Sequence, residues 1–158
     1  IHFLLKNFSN IKKIIYLDAV PNIYVGSEYL EHFYGKSVKN YLNTCESKKI
    51  SFSNDDELEI ICVPPWEIEK LDTKIDHFHN AASFVEMPEK AIKNYVSYIK
   101  KNKIKDISIV SYGDHDPRTT FNPELLNKFF DGNLDIQWNE NLIDEYKKKS
   151  IFLTSKKN

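Results

Sequence analysis

The chain has 158 residues, enough for one domain around one core. Its residues are 41% apolar and 28% charged, as in an ordinary globular protein, and the net charge of −1 gives no sign of a polyanionic partner such as nucleic acid. No signal peptide or membrane-spanning run is visible within these residues, so a reducing, cytoplasmic compartment is the expectation.

The elements follow in chain order. Phe3, Leu4 and Phe8 have helical spacing, and Ser9-Asn10 stops the run. A helix of this kind normally follows a strand in a βαβ unit, so further sequence upstream of Ile1 is expected. Lys13–Leu17 is short, apolar and β-branched, and reads as a buried strand. Pro21 and Asn22 open a helix through Tyr34, with Ile23, Leu30 and Phe33 on its apolar face and Gly35 as its C-terminal cap. Val38–Leu42 is expected to add a further turn. Glu46–Glu57 is polar and reads as a surface loop. Glu59–Val63 is the next strand, and Pro64-Pro65 ends it stiffly, because a proline drives the residue before it out of the α region.

Ile75–Asn80 reads as a third strand. Pro88 suits the first turn of a helix and Glu89 suits its dipole. Ile92, Tyr95, Val96 and Ile99 form the apolar stripe of that helix, and Lys100, Lys101 and Lys103 close it. Asp106–Ser111 is a fourth strand, opening into the polar loop Tyr112–Thr120. Pro123–Phe130 is a short helix closed by Asp131-Gly132. Leu134–Trp138 and Ile151–Thr154 are two closing strands, near enough in sequence to form an antiparallel edge; the link between them is expected to be partly helical. This alternation predicts an α/β fold with a Rossmann-like, mostly parallel sheet and helices on both faces. Neither internal repeats nor low-complexity segments are visible, and residues 1–158 are read as one domain.

Ligands of open α/β sheets bind outside the carboxyl ends of the strands. Two such ends are polar here. One is Asp18, which follows Ile14-Ile15-Tyr16-Leu17; a carboxylate there suits the paired hydroxyls of a ribose. The other is Asn80, followed by Ala81-Ala82-Ser83-Phe84-Val85-Glu86-Met87. Asp18 also has a local reading as a helix N-cap before Pro21. Trp66, after Pro64-Pro65, either covers a flat ligand or packs beneath its loop. Ser83 and Glu86 stand at i and i+3; they share a face toward a ligand, or form a capping box, or do both. His77 and His79 alternate on one strand and point to one face. His79 is nearer the carboxyl end and is a candidate general base; both histidines also read as structural. No third ligand is apparent for a metal. Cys45 and Cys62 have no metal-type spacing, and Cys62 reads as a buried thiol. Asp114, His115, Asp116 and Arg118, in the loop after the fourth strand, either hydrogen-bond a substrate or form a solvated loop with local ion pairs. Arg118 is the one arginine among 22 basic residues and would suit a phosphate.

The runs Tyr16-Leu17-Asp18-Ala19-Val20-Pro21, with Tyr29-Leu30 after them, and Asn80-Ala81-Ala82-Ser83-Phe84-Val85-Glu86-Met87 resemble the sugar O-methyltransferase family, of the class I S-adenosylmethionine-dependent methyltransferases. The resemblance covers nearly the whole chain, as the C-terminal two-thirds of such a domain. It implies S-adenosyl-L-methionine as cofactor, with Asp18 on the ribose, Pro65 and Trp66 beside the adenine, and Asn80 between cofactor and acceptor. It implies a sugar or glycan-precursor substrate, contacted by Ser83, Asp114, Asp116 and Arg118. His79 or His115 would take the hydroxyl proton, with Glu86 third.

The departure is the glycine-rich loop after the family's first strand. The four glycines, Gly26, Gly35, Gly113 and Gly132, stand in no G-x-G pattern. The sheet is therefore expected to lack its first strand, leaving open edges at Lys13–Leu17 and Ile75–Asn80. The natural protein is expected to be longer, and this piece alone to bind cofactor poorly. Two other readings stay open: a nucleotide-sugar-modifying Rossmann enzyme, and a non-catalytic methyltransferase-like scaffold.

Overall fold

A computed structural model describes residues 1–112, 121–139 and 150–156. Within them the chain divides into two compact units, Ile1–Thr73 and Lys74–Asn158, each with its own sheet.

The first unit contains α1 (His2–Asn7), β1 (Lys13–Leu17), α2 (Asn22–Tyr34), β2 (Val38–Lys39), α3 (Tyr41–Cys45) and β3 (Glu59–Val63). Its sheet order is β1-β3-β2 and every pairing is parallel. Parallel strands covered on both faces read as continuous apolar runs. Ile60, Ile61, Cys62 and Val63 are accordingly all fully buried. Ile14, Tyr16, Ile60 and Cys62 pack with Ile23 and Leu30 of α2; Ile15, Leu17, Ile61 and Val63 pack with Ile50, Phe52 and Leu71. β1, α2 and β3 run over the spans expected from periodicity, and Gly35 closes α2 at φ +49°.

Three details differ. Phe33 is exposed, its ring tilted against those of Tyr29 and His2 rather than entering the core; Ser27 is buried beside Ile23 and Leu30 on the inward face. Val38-Lys39 joins the sheet instead of forming a helical turn, because the β-branched Val38 fits the ladder. The helix starts later, at Tyr41, where the Asn40 side chain accepts from the Leu42 amide at 3.2 Å. The polar segment after α3 is anchored by Ile50, buried and bridged to Leu71.

The second unit contains β4 (His77–Ala81), α4 (Glu89–Lys101), β5 (Asp106–Tyr112), α5 (Leu126–Phe129), β6 (Leu134–Asn139) and β7 (Ser150–Ser155). Its order is β4-β5-β7-β6; β4 and β5 are parallel, and β7 is antiparallel to both β5 and β6. The closing antiparallel pair is as the sequence predicts. Ile107, Ile109, Ile151 and Leu153 point to one face, where Ile92, Val96 and Ile99 of α4 and Leu126 of α5 complete the core. The alternate residues, His77, His79, Ser108 and Thr154, make up a polar row on the other face. No capping box forms at Ser83: Ser83–Glu86 is a 3₁₀ turn entered through Ala82 at φ +63°, and α4 begins only at Glu89, after Pro88. Among the described residues β1 and β4 each pair on one side only, so both are edges. No described helix is long and apolar enough to cross a membrane.

Buried Glu59, at the start of β3, is the electrostatic anchor of the first unit. It pairs with Lys39, accepts from the Ser53 amide and hydroxyl at 2.8 Å each, and lies 3.3 Å from Lys13, which also reaches Asp55 at 3.0 Å. Burial alone would raise its carboxyl; the Lys39 and Ser53 contacts outweigh burial and hold it at about 2. A depressed carboxyl stabilises the fold above its ordinary value of 4.5, and that contribution is lost as pH falls toward 2. Lys39 is half exposed, which screens the pair, so the contribution is on the order of 2 kcal/mol. Acid titration of thermal stability is therefore expected to show a loss between these values that Glu59→Gln largely removes. Parallel acid curves for the two proteins would contradict it.

Candidate functional site

In the first unit, the register Leu17↔Val63 sends Asp18 and Pro64 out of the same end of the sheet. Asp18 does not cap α2: Pro21 is the N-cap and no side chain caps it. Instead the carboxylate is held from two sides. The Tyr16 hydroxyl donates to its Oδ2 at 3.0 Å and the Ala19 amide donates to its Oδ1 at 2.8 Å. Burial and the neighbouring Asp18 charge both push the Tyr16 phenol upward, so it stays a donor. Each carboxylate oxygen can take a further hydrogen bond, and both can serve one pair of hydroxyls.

The Tyr16 ring lies against the bare Cα of Gly26 in α2. A Cβ at residue 26 would fall 2.6 Å from Tyr16 Cε1 and 2.7 Å from Cζ. Gly26 thus makes room for the ring that holds Asp18. Pro65 opens the 3₁₀ turn Pro65–Lys70, which carries Trp66 with 63% of its surface exposed. Trp66 does not pack beneath its loop. Its ring stands free near the end of the strand that neighbours Asp18's.

In the second unit, β4 places His79 and Asn80 on opposite faces. Asn80 is buried; its Oδ1 accepts from the Phe84 amide at 3.1 Å and its Nδ2 donates to Ser83 Oγ at 2.6 Å. Asn80 and Ser83 therefore shape the turn that exposes Glu86, and Asn80 keeps one amide hydrogen uncommitted among the described residues. His79 turns to the polar face. Its Nδ1 lies 2.8 Å from Ser108 Oγ, and His77 Nε2 lies 2.8 Å from the same oxygen. Partial desolvation, and then the charge of His77, lower the His79 pKa, which favours the neutral ring.

Asp18, Pro65 and Trp66 thus share one strand-end region of the first unit; Asn80, Ser83 and Glu86 share one of the second, with His79 on the opposite face of the same strand. Asp114, His115, Asp116 and Arg118 lie outside the described residues. Three participants escape a reading of the sequence. Tyr16 and Gly26 are ten residues apart in different elements. Ser108 is visible only as the polar alternate in Ile107-Ser108-Ile109; its place beside the histidines needs the register of β4 against β5. A shallow surface pocket lined by Lys93, Val96, Ser97, Lys100 and Phe129 contains none of the candidate site residues, and its lysines are paired with Glu89 and Asp131.

No protein-family model and no curated protein sequence matches the chain. Among solved structures, a protein from Sulfolobus solfataricus classed as a type 11 methyltransferase is 19% identical, with 99% of this chain and 92% of that one covered and a TM-score of 0.43. The PH0226 protein from Pyrococcus horikoshii OT3 is 12% identical, with 98% and 88% covered and a TM-score of 0.44.

Gly→Ala inside a helix ordinarily stabilises by roughly 1 kcal/mol. At Gly26 the Tyr16 ring reverses the sign, and Gly26→Ala is expected to lower stability by about 1–3 kcal/mol. Thermal melting decides it. A higher melting temperature for Gly26→Ala, or the same fall when Tyr16 is also changed to Ala, would show that the ring is not the obstacle.

Proposed function

We propose that this chain belongs to an S-adenosyl-L-methionine-dependent O-methyltransferase acting on a sugar hydroxyl. The observation that carries the reading is the Asp18 carboxylate: at a strand's carboxyl end, gripped by Tyr16 and the Ala19 amide, with capacity left for two hydroxyls. The residue runs around Asp18 and Asn80 support it, as does the exposed Trp66 ring. These residues fit the ribose and adenine of the cofactor: Asp18 would hold the hydroxyls, and Pro65 and Trp66 would border the base. Asn80, in the second unit, has one amide hydrogen left for a ligand.

When bound, the cofactor supplies a methyl group already activated on a sulfonium. What remains for the protein is to align an acceptor and remove its proton. Alignment can be worth up to roughly 7–11 kcal/mol. Asp114, Asp116 and Arg118 would hold the sugar, with Ser83 at the turn. His79 is the preferred base, because its lowered pKa favours the neutral ring and Ser108 fixes its Nδ1 side, leaving Nε2 uncommitted among the described residues. For Nε2 to accept a proton, Nδ1 must carry the ring hydrogen and donate it to Ser108. Ser108 then passes its own hydrogen to His77 Nε2. His115 and Glu86 are the other candidates.

Two measurements test this. In calorimetry of the full-length protein, S-adenosylhomocysteine is expected to bind, and Asp18→Ala to weaken it by about tenfold or more, the loss of two charge-assisted hydrogen bonds. Uptake of NAD instead, or equal affinity in Asp18→Ala, would refute the assignment. With a sugar acceptor, His79→Ala is expected to lower kcat by roughly 10²–10⁴-fold, the usual worth of a general base. Unchanged turnover would move the role to His115 or Glu86.

A further inference from the structure

The polar face of the second unit's sheet carries a cluster that methyl transfer does not require in full. His77 and His79 stand two residues apart on the edge strand β4, and Ser108 sits opposite His79 in the register with β5. One oxygen, Ser108 Oγ, lies 2.8 Å from His77 Nε2 and 2.8 Å from His79 Nδ1. The two ring nitrogens are therefore separated by no more than twice that distance, and both are aimed at one point.

A hydroxyl has a single proton. Ser108 donates to one imidazole and must accept from the other, so one nitrogen lone pair and one N–H already converge there. Moving that N–H hydrogen to the ring's far nitrogen leaves two imidazole lone pairs facing the hydroxyl oxygen, and a turn of the rings about their torsions lets the three share one ion. Three donors converging from two adjacent strands match what a divalent transition-metal ion takes up. Imidazole nitrogen suits zinc, copper and nickel, with Zn–N distances of about 2.0–2.1 Å. Both histidines are exposed and on an edge strand, so an ion enters from solvent and the rings can swing inward about their own torsions. Asp106, opposite His77 in the register, adds a negative charge nearby. The described residues contain no group of three histidine, cysteine or carboxylate ligands, so the remaining positions fall to water.

We propose that His77 and His79, with Ser108 between them, form an open binding site for a divalent transition-metal ion of the zinc and copper class. The site shares His79 and Ser108 with the methyltransferase reading but does not depend on it, and its occupancy is measured without turnover. An ion on His79 Nδ1 would leave the ring hydrogen on Nε2, so the same histidine cannot act as general base while the metal is bound.

The test is calorimetric titration of ZnCl₂ into the full chain, with the exposed thiol Cys45 replaced by serine in every sample. One saturable ion per chain is expected. His77→Ala and His79→Ala should each weaken binding by about tenfold or more, and Ser108→Ala by less, as the oxygen is the weaker donor. Cu²⁺ should bind more tightly than Zn²⁺ and show the same dependence on the two histidines. Because all three side chains are at the surface of the sheet, circular dichroism of the variants should match the parent. The proposal is overturned by the absence of saturable binding, or by Zn²⁺ affinity in both histidine variants that stays within about twofold of the parent. Retained binding would place the ion on other ligands.

Discussion

Strict alternation of side chains along a β-strand is the constraint on which the chemistry of this molecule depends. In β4 it sends Asn80 inward, to be consumed by the turn that follows, and sends His77 and His79 outward together onto Ser108. In β1 it places Tyr16 on the α2 side, where the ring reaches past the sheet's edge to Asp18. A one-residue slip in either strand would exchange these roles completely. In the second unit register is secured by burial: Ile107 and Ile109 of β5 face the core with Leu153 of β7 while Ser108 stays on the polar face, so β5 has one favoured pleat phase beside β4.

The same alternation explains what was legible in the sequence. Lys13–Leu17, Asn22–Tyr34 and Glu59–Val63 carry unmistakable periodicity, and the strands and helix form over those residues. The polar strand ends at Asp18 and Asn80 were visible because charge or amide there breaks an apolar run. Phe33 shows the limit of periodicity: it has helical spacing with Leu30, but an aromatic that finds neighbours on the surface need not enter the core. The Ser83-x-x-Glu86 spacing is a fair capping signal, yet Asn80 takes the Ser83 hydroxyl and the Phe84 amide first, and the segment closes as a tight turn. The open edges at β1 and β4 follow from the absent glycine-rich strand, and among the described residues each of the two pairs on one side only; the division into two units has no local signature.

Asp18 gains its meaning from its supports. An isolated carboxylate at a loop would be one solvated charge among 23 acidic residues. Here a phenol and a backbone amide fix both oxygens, and the phenol is fixed in turn by a glycine without which its ring has no room. Preorganisation of this kind counts in binding, because the rotamer entropy of the acid is lost at folding rather than when a ligand arrives. A carboxylate needed only for solubility would gain nothing from it. Glu59 is the contrasting case in the same sheet: its contacts with lysines and Ser53 leave it stabilising the fold at the opposite end of the strands.

The His77–Ser108–His79 group joins the two chemistries that its residues permit. As a hydrogen-bonded chain it orients His79 and gives the ring hydrogen a defined path, since each link can donate only where the next can accept. As a chelate it removes that path, because a metal on Nδ1 forces the hydrogen onto the nitrogen a base would need free. The two states compete for one lone pair. Ser108 is the element common to both, and it has little freedom: β5 is held between β4 and β7, so its oxygen stays where the two rings meet. The position of the hydroxyl that both rings meet is set by strand register.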